Sequence, residues 1–188
     1  MLIQELTVGP LGTLCYILSE EGCDRCVVID PGAEAERIRT AVGTRKLDAI
    51  LLTHGHFDHL GAVRDLVTPD TALIVHALDA PMLTDARLNA SLDLAGIELT
   101  APTPTKTVRD GEILQYAGLS IQVVHTPGHT PGSVCYLIGE DAFTGDTLFH
   151  HGWGRTDLPG GSESDMMHSL RRIITLTRSM TVHPGHED

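Results

Sequence analysis

The chain has 188 residues, of which 41% are hydrophobic, and its formal net charge at pH 7 is −12. Nucleic-acid surfaces need clustered Lys and Arg, so this charge argues against a nucleic-acid partner. No apolar run reaches the roughly 18–20 residues of a membrane-spanning helix, and no signal peptide is visible at the N-terminus. A cytoplasmic protein without a membrane partner is therefore expected.

The hydrophobic pattern predicts alternating strands and helices with short turns between them. In chain order, it predicts strands at 14–18 and 26–29, a helix at 33–42, a strand at 48–53, a helix at 58–67, a strand at 72–75, a helical stretch at 79–88, strands at 112–114, 119–124, 134–138 and 142–143, a helix at 164–178 and a strand at 181–182. No repeat or flexible linker interrupts this series. Residues 1–188 are therefore predicted to form a single domain.

The late helix is predicted to present one apolar side to the core. Helical spacing predicts that Met167, Leu170 and Ile174 point inward, together with Leu176 or Thr177.

Three histidines and an aspartate fall within six positions directly after the apolar strand at 48–53. These residues are His54, His56, Asp58 and His59. Imidazole and carboxylate groups are the usual ligands of zinc and related ions. Residues two apart in an extended chain point the same way, so His54 and His56 can hold one ion. Asp58 and His59 lie at the following turn and can face a second ion.

Further potential ligands follow other predicted strands. His129 comes after the strand at 119–124 in a Pro-Gly loop, and Asp146 follows the strand at 142–143. His186 follows the last strand, again after Pro-Gly. Glycine allows the backbone to pass close to a bound ion because it has no Cβ atom. The repeated placement of ligands at strand ends predicts a shared metal centre.

The four cysteines give a weaker signal. Cys15 and Cys135 sit inside apolar runs and are predicted to be small core residues. Cys23 and Cys26 have the two-residue gap of a redox or zinc motif, but no second pair and no strand-motif-helix context accompany them. A structural role is therefore favoured, although a chemical role for this pair stays open.

The chain resembles the metallo-β-lactamase-fold hydrolase superfamily, and within it the short forms of the glyoxalase II-like branch. Four segments carry the resemblance in the order found in the family: Thr53-His54-Gly55-His56-Phe57-Asp58-His59, Thr126-Pro127-Gly128-His129-Thr130-Pro131-Gly132-Ser133, Phe143-Thr144-Gly145-Asp146-Thr147-Leu148-Phe149 and His183-Pro184-Gly185-His186. The implied fold is an αββα four-layer sandwich, of α/β (α+β) class, with two metal ions at one edge between the sheets.

The resemblance also implies a role for each potential ligand. The first ion would be held by His54, His56 and His129, the second by Asp58, His59 and His186, and Asp146 would bridge both. Zinc is expected, and iron and manganese remain alternatives. The implied reaction is hydrolysis of a small thioester, such as S-lactoylglutathione, or of an ester by a metal-bridged hydroxide that Asp58 helps to orient.

Three residues near these segments have two open interpretations each. Asp30 matches a family position that hydrogen-bonds around the ligand histidines, or it is a turn aspartate. Arg155 could contact an anion in place of a family lysine, or pair with Asp157. Trp153 could line the substrate mouth or fill the core edge.

The resemblance differs from the full-length enzymes at the C-terminus. Those enzymes add a helical domain that grips glutathione, whereas this chain ends two residues after His186. Glutathione specificity is therefore not expected. Relatives usually continue well past the last histidine, so the natural chain is expected to extend beyond Asp188. The sequence gives no oligomeric state.

Three other functions share the fold. A persulfide dioxygenase uses one iron held by two histidines and an aspartate, so metal content would separate it from a hydrolase. A β-lactamase is less expected, because many of those enzymes use a cysteine ligand where Asp146 stands. A nuclease is disfavoured by the charge of −12.

Overall fold

Two stacked β-sheets form the centre of the computed structural model, which describes residues 1–187. The first sheet contains β1 (Leu2–Val8), β2 (Thr13–Ser19), β3 (Arg25–Ile29), β4 (Lys46–Leu51), β5 (Ala72–His76) and β6 (Lys106–Val108) in that order. The second contains β7 (Ile113–Tyr116), β8 (Leu119–His125), β9 (Val134–Ile138), β10 (Asp141–Gly145) and β11 (Thr181–Pro184), in the order β11-β10-β9-β8-β7. The helices are α1 (Ala35–Val42), α2 (Phe57–Leu60), α3 (Val63–Leu66) and α4 (Glu163–Leu176).

Alternation along each strand divides the molecule into four layers. In β2, Tyr16 belongs to the apolar cluster between the sheets, whereas Ile17 belongs to the cluster with α1, α2 and α3. In β9, Tyr136 faces the inner cluster, whereas Cys135 packs with Ile173 of α4. Successive strand residues point to opposite faces, so each sheet buries one face on the other sheet and one on helices. The αββα sandwich is confirmed.

Strand direction brings the ends of several strands to one edge. In the first sheet β3, β4 and β5 are mutually parallel. In the second sheet β10 and β11 are parallel, and β8 runs in the same direction because both β8 and β10 are antiparallel to β9. The segments that follow these strands therefore emerge on the same side of their sheets. This arrangement allows residues far apart in the sequence to meet.

Hydrogen bonds join the two sheets at this edge. Tyr16 donates its hydroxyl to the Pro184 carbonyl at 2.7 Å, and Tyr136 donates to the Leu52 carbonyl at 2.8 Å. The Val134 amide donates to the Thr53 carbonyl at 2.8 Å. These bonds hold the loop after β4 against the second sheet.

The prediction of one continuous helix at 58–67 is wrong, because the structure has two short helices there, α2 and α3. The Ala62 amide donates to the Pro31 carbonyl at 2.9 Å, not to a preceding helical turn. Gly61 also packs so closely on the Gly32 carbonyl that a Cβ atom would overlap it. The tertiary contact with 31–32 thus interrupts the helical hydrogen bonds.

One further predicted element needs correction, and two strands were not predicted. The stretch 79–88 contains only a short 3-10 turn, Ala80–Thr84, followed by a π-helical turn at Ser91–Ala95. Strands β1 and β6 were missed, since β1 is mostly exposed and β6 has three residues. Exposed or very short strands lack the apolar alternation on which prediction depends.

The inward face of α4 is shifted by one residue from the prediction. Met166 and Ile173 are buried, whereas Ile174 is 53% exposed. Adjacent Met-Met and Ile-Ile pairs leave two nearly equivalent helical faces, and packing against β8, β9 and β10 selects one of them. Of the two alternatives at its end, Thr177 is buried and Leu176 exposed.

No helix among residues 1–187 combines the length and apolarity needed to cross a bilayer.

Candidate metal centre

The loop after β4 delivers four of the predicted ligands to the edge of the sheets. His54 and His56 lie in the segment between β4 and α2, where His54 is part of a bend and His56 is extended, and both are buried. Asp58 and His59 belong to α2, which starts directly after His56. Because the chain turns into a helix after His56, the first two side chains, His54 and His56, and the next two, Asp58 and His59, belong to different groups of the cluster.

The remaining three predicted ligands come from loops after strands of the second sheet. His129 follows β8, Asp146 follows β10 directly and His186 follows β11. Asp146 approaches Nε2 of His59 and of His129 at 3.4 Å each, and that of His186 at 3.6 Å. The structure thus brings all seven predicted side chains to one place, with Asp146 between the histidines.

The cluster divides into overlapping groups of three. One ligand atom from each of His54, His56 and His129 lies within 4.8 Å of the others, and the same holds for Asp58, His59 and His186. A third such group contains His54, His59 and Asp146. Two separate sets of three, connected by a central carboxylate, have the composition expected for a pair of divalent ions.

Asp30 fixes the orientation of His59. Its carboxylate accepts hydrogen bonds from the Thr53 amide at 2.8 Å and the Thr53 hydroxyl at 2.6 Å, and it lies 2.9 Å from Nδ1 of His59. A proton on Nδ1 leaves the Nε2 lone pair of His59 directed at the cluster. The structure therefore agrees with the interpretation in which Asp30 hydrogen-bonds a ligand histidine, His59.

Backbone carbonyls orient two other histidines in the same way. Nδ1 of His129 lies 2.7 Å from the Arg155 carbonyl, and Nδ1 of His186 lies 3.1 Å from the Leu11 carbonyl. Each carbonyl can only accept a hydrogen bond, so each Nδ1 carries the proton. The Nε2 lone pairs of both rings then point toward the cluster.

Several buried nitrogen and oxygen atoms of the cluster face one another or have no hydrogen-bond partner. Nε2 of His59 and Nε2 of His186 lie 3.2 Å apart, and without a cation only an additional proton can lie between them. Among residues 1–187, His54 Nε2, His56 Nε2 and Asp146 Oδ1 are buried without a hydrogen-bond partner. Unpartnered lone pairs that converge in a buried place are stabilised by a cation. The residues present therefore fit a metal centre.

The electrostatics of the cluster also favour added positive charge. Burial disfavours an imidazolium, but the carboxylates of Asp58, Asp146 and Asp30 outweigh it and raise the pKa of His59 to about 10. Where fewer carboxylates are close, burial prevails: with the neighbouring His129 it lowers the pKa of His56 to about 3. Burial likewise lowers the pKa of His54.

Gly185 allows the last loop to approach the cluster. A Cβ atom at this position would overlap Asp146 Oδ1 and come within 2.9 Å of His59 Cε1. The Gly185 amide donates to the Gly145 carbonyl, and its carbonyl accepts from the Leu14 amide, both at 2.8 Å. Glycine is thus needed at position 185, directly before His186, because no side chain fits there, as the sequence pattern indicated.

Arg155 and Trp153 lie near the cluster without joining it. Arg155 forms a bidentate pair with Asp157, at 2.6 and 2.7 Å, so its guanidinium is already engaged. Trp153 is 53% exposed, and neither the core nor the described cleft lining includes it. Trp153 therefore does not fill the core edge, whereas its role at the substrate mouth, beside the lining residue Gly154, stays a prediction.

Sequence reasoning missed Asp79, a fully buried carboxylate that connects two ligand loops. It accepts hydrogen bonds from the Gly55 amide at 2.9 Å, the Gly132 amide at 2.7 Å and the Thr130 hydroxyl at 2.6 Å. Asp79 thereby fixes the loops that carry His54 and His129. The only signal in the sequence was another acidic residue shortly after a strand, the same placement as Asp30.

A cleft of about 310 Å³ opens on the cluster. Five predicted ligands form its polar part, and the other described lining residues are mainly apolar: Leu11, Phe57, Ala90, Leu94, Phe149, Gly154, Arg155 and Leu158. This volume lies in the range of small-molecule sites. None of the described lining residues carries a hydroxyl or thiol group.

The family follows from a comparison with known proteins. The model of the metallo-beta-lactamase superfamily matches residues 8–186, nearly the whole chain. The chain belongs to this superfamily. Superfamily members bind divalent metals through clusters of His and Asp, and the cluster described above is of this kind.

Two curated relatives are similar along most of the chain. The probable metallo-hydrolase YqgX of Bacillus subtilis is 38% identical over 191 residues, which are 97% of this chain and 89% of YqgX. The hydroxyacylglutathione hydrolase GloC of Haemophilus influenzae is 34% identical over 166 residues, which are 85% of this chain and 78% of GloC. The assignment to the short, glyoxalase II-like members of the superfamily is confirmed.

Three solved structures share the fold. The crystal structure of the BLEG-1 B3 metallo-beta-lactamase is 35% identical in sequence, with a TM-score of 0.90, and the match covers 100% of this chain and 92% of that one. TTHA1623 in a di-iron-bound form is 38% identical, with a TM-score of 0.85 and coverage of 98% and 92%. ETHE1 from Myxococcus xanthus is 29% identical, with a TM-score of 0.76 and coverage of 100% and 76%.

Proposed function

We propose that the protein is a hydrolase that uses two divalent cations, with zinc as the first candidate, to cleave a small thioester such as S-lactoylglutathione or a related ester. The single observation that carries this proposal is the pair of three-residue groups connected by Asp146. The relative named a hydroxyacylglutathione hydrolase supports the substrate class, and the di-iron-bound neighbour supports a centre with two metals.

The residue roles follow the two groups. His54, His56 and His129 would hold one cation, Asp58, His59 and His186 the other, and Asp146 would contact both. When bound, the cations supply Lewis acidity to water and to the acyl carbonyl. The iron form of TTHA1623 keeps iron among the candidate metals, and the ligand chemistry also admits manganese.

Asp58 is the residue best positioned to orient the attacking water. Its Oδ2 accepts a hydrogen bond from the Thr13 hydroxyl at 3.1 Å and lies 3.3 Å from Nε2 of His186. These contacts fix the carboxylate beside the cleft, where it can accept a hydrogen bond from that water, whose protons pass to solvent. Burial raises the pKa of Asp58, but His59, His186 and His56 outweigh it and hold the pKa well below its usual range, so Asp58 stays an ionised acceptor.

A thioester suits the groups around the cleft. Water forms the new C–O bond, the C–S bond breaks, and sulfur leaves with the electron pair as a thiolate. A thiol has a pKa of about 8.5, so its thiolate leaves without a donated proton. The lack of hydroxyl and thiol side chains in the described lining disfavours a covalent acyl-enzyme.

Metal analysis and hydrolysis on the same preparation test the proposal. We expect two metal ions per chain and turnover of S-lactoylglutathione or a simpler acyl thioester. Asp146→Ala should lose at least one ion and most of the activity. Asp141→Ala is the matched control, since Asp141 lies at the other end of β10 and pairs with His183, outside the cluster. We expect it to keep both ions.

Other outcomes would replace the proposal. A single iron with oxygen uptake on a persulfide would favour a dioxygenase, as the ETHE1 neighbour suggests. Turnover of a β-lactam without thioester hydrolysis would favour the activity named for BLEG-1. Retention of two ions and full activity by Asp146→Ala would remove Asp146 from the centre.

A further inference from the structure

The cleft above the metal centre is lined by exposed apolar side chains from two separate segments of the chain. Leu11 is 54% exposed in the loop between β1 and β2, and Leu94 is 51% exposed in the π-helical turn. Half-buried Phe57, Phe149 and Leu158 complete the apolar walls. Large apolar side chains that remain exposed around a cleft gain free energy when a ligand covers them.

The loop positions of both leucines are held by hydrogen bonds. The Leu11 carbonyl is 3.1 Å from Nδ1 of His186, so this loop is attached to a candidate ligand. The Leu94 amide donates to the Ala90 carbonyl at 3.0 Å, and Ala90 itself lines the cleft. The backbone positions of both residues at the cleft are therefore fixed.

Apart from histidines, the described cleft lining has no basic side chain without an acidic partner. Arg155 is the one Lys or Arg in this lining, and one edge of its guanidinium, Nε and Nη2, donates to both carboxylate oxygens of Asp157. The turn that carries Leu94 also contains the exposed Asp93. A chain with a net charge of −12 adds repulsion toward an anion. The carboxylates of glutathione therefore meet no unpaired Lys or Arg in the described lining.

We infer that the cleft selects a thioester whose acyl group is apolar and whose thiol portion is uncharged, in preference to a glutathione thioester. This inference rests on the proposed thioester hydrolysis and adds the substrate class. The apolar walls contact the acyl chain, while water adds to the acyl carbon, the C–S bond breaks and the thiol portion leaves as a thiolate that is protonated in solvent. Leu11 and Leu94 determine the preference, because they carry the largest exposed apolar area in the described lining.

A series of thioesters separates chain length from charge. Acetyl, butanoyl and hexanoyl thioesters of N-acetylcysteamine vary only the acyl group. Hexanoyl-glutathione then changes only the thiol. We expect kcat/KM to rise about threefold per added methylene group, from the free energy of burying each group. We expect hexanoyl-glutathione to be a poorer substrate than the matched N-acetylcysteamine ester, with a difference that decreases at high salt.

Binding of non-hydrolysable thioethers provides a measurement independent of turnover. S-hexyl-N-acetylcysteamine has five more methylene groups than the S-methyl compound and should bind about a hundredfold more tightly by calorimetry, in both metal-loaded and metal-free protein. Leu94→Ser should reduce this ratio severalfold. Leu176→Ser is the matched control, because Leu176 is 45% exposed on α4 and is absent from the described cleft lining. It should leave the ratio unchanged.

The outcomes distinguish this inference from the proposed function. Preference for hexanoyl-glutathione, or an equal chain-length ratio in Leu94→Ser and the native protein, would overturn the inference and leave thioester hydrolysis intact. Failure to cleave any thioester with two ions bound would overturn the proposed function. In that case the ratio of the two thioether affinities still tests the inference, because equal binding of the S-hexyl and S-methyl compounds would contradict it.

Discussion

Histidine orientation is the residue-scale feature on which the centre depends. Three rings donate an outer N–H to Asp30, to the Arg155 carbonyl or to the Leu11 carbonyl, and each presents a lone pair inward. Only one of these three acceptors is a side chain, so only Asp30 could be suspected from residue type. Partners of this kind raise the basicity of a ligand and fix its tautomer.

We expect Asp30→Asn to weaken metal binding. Asparagine keeps the volume and tolerates the left-handed backbone of Asp30, whose φ is 49°. It loses one charged acceptor shared by Thr53 and His59, so metal affinity should fall about 10–100-fold. Competition with a chelator of known affinity measures this change. Unchanged affinity would contradict the positioning role of Asp30.

Asp79 should stabilise the fold as well as the site. Asp79→Asn places an NH₂ group against at least one of three buried donors, so we expect a loss of about 1–3 kcal/mol in the free energy of unfolding. Urea denaturation measures it. Asp85→Asn is the matched control, since the exposed Asp85 accepts from the Arg87 and Leu88 amides at the surface. Equal losses in both variants would contradict the argument.

At the scale of elements, the centre is built from loops that follow parallel or equally directed strands. The loop after β11 must pass beside Asp146, and only glycine at position 185 leaves room. The loop after β4 is held from the opposite side by Asp79. Small changes in loop geometry should therefore affect metal binding more than they affect the sheets.

We expect Gly185→Ala to lower the metal content to one ion or none, because its Cβ atom would displace the Asp146 carboxylate. Far-ultraviolet circular dichroism should remain similar, since β10 and β11 pair outside this loop. Gly152→Ala is the matched control, because a Cβ atom there meets no atom within 4 Å. Two bound ions in Gly185→Ala, by elemental analysis, would show that the loop can adjust.

The thiols of β2, β3 and β9 are predicted to be inert. Cys15, Cys26 and Cys135 are buried and free, and only Cys23 is partly exposed. Burial raises the pKa of both Cys26 and Cys135 to about 11, so at pH 8 they stay protonated as well as enclosed. We expect a thiol reagent to label one cysteine per folded chain and four after denaturation. Labelling of both Cys23 and Cys26 would reopen a chemical role for the pair.

For the whole molecule, the metal centre acts as a link between the two sheets. Its candidate ligands come from loops of both sheets, and several of its buried polar atoms have no other partner. A ligand that binds only the folded state stabilises it in proportion to its affinity. The cations should therefore contribute to stability and not only to catalysis.

We expect a chelator to lower the melting temperature by about 10 °C. A cation present at about 1,000 times its Kd adds about 4 kcal/mol, and each kcal/mol is worth about 2–4 °C for a chain of this size. Differential scanning calorimetry with and without the chelator, followed by metal restoration, measures the shift. Asp146→Ala should show a smaller shift. An identical melting temperature in all samples would contradict a structural contribution.

Sequence patterns by themselves determined the mixed α and β class, the order of most elements and the identity of the seven side chains in the cluster, and the resemblance to a known family implied the αββα sandwich. The first set of features depends on local patterns: apolar periodicity identifies strands and helices, and ligand residues follow strand ends. The same patterns gave the wrong inward face for α4 and left two interpretations of Asp30, because both depend on distant contacts.

Tertiary structure alone decided which distant groups support the centre and what surrounds it. Asp79 contacts Gly132 across 53 positions, and the Leu11 carbonyl meets His186 across 175 positions. No periodicity relates such residues, because their contact depends on how the two sheets stack and on the direction of each strand. The apolar walls of the cleft have the same origin, since Leu11 and Leu94 become neighbours of the metal centre only in the folded chain.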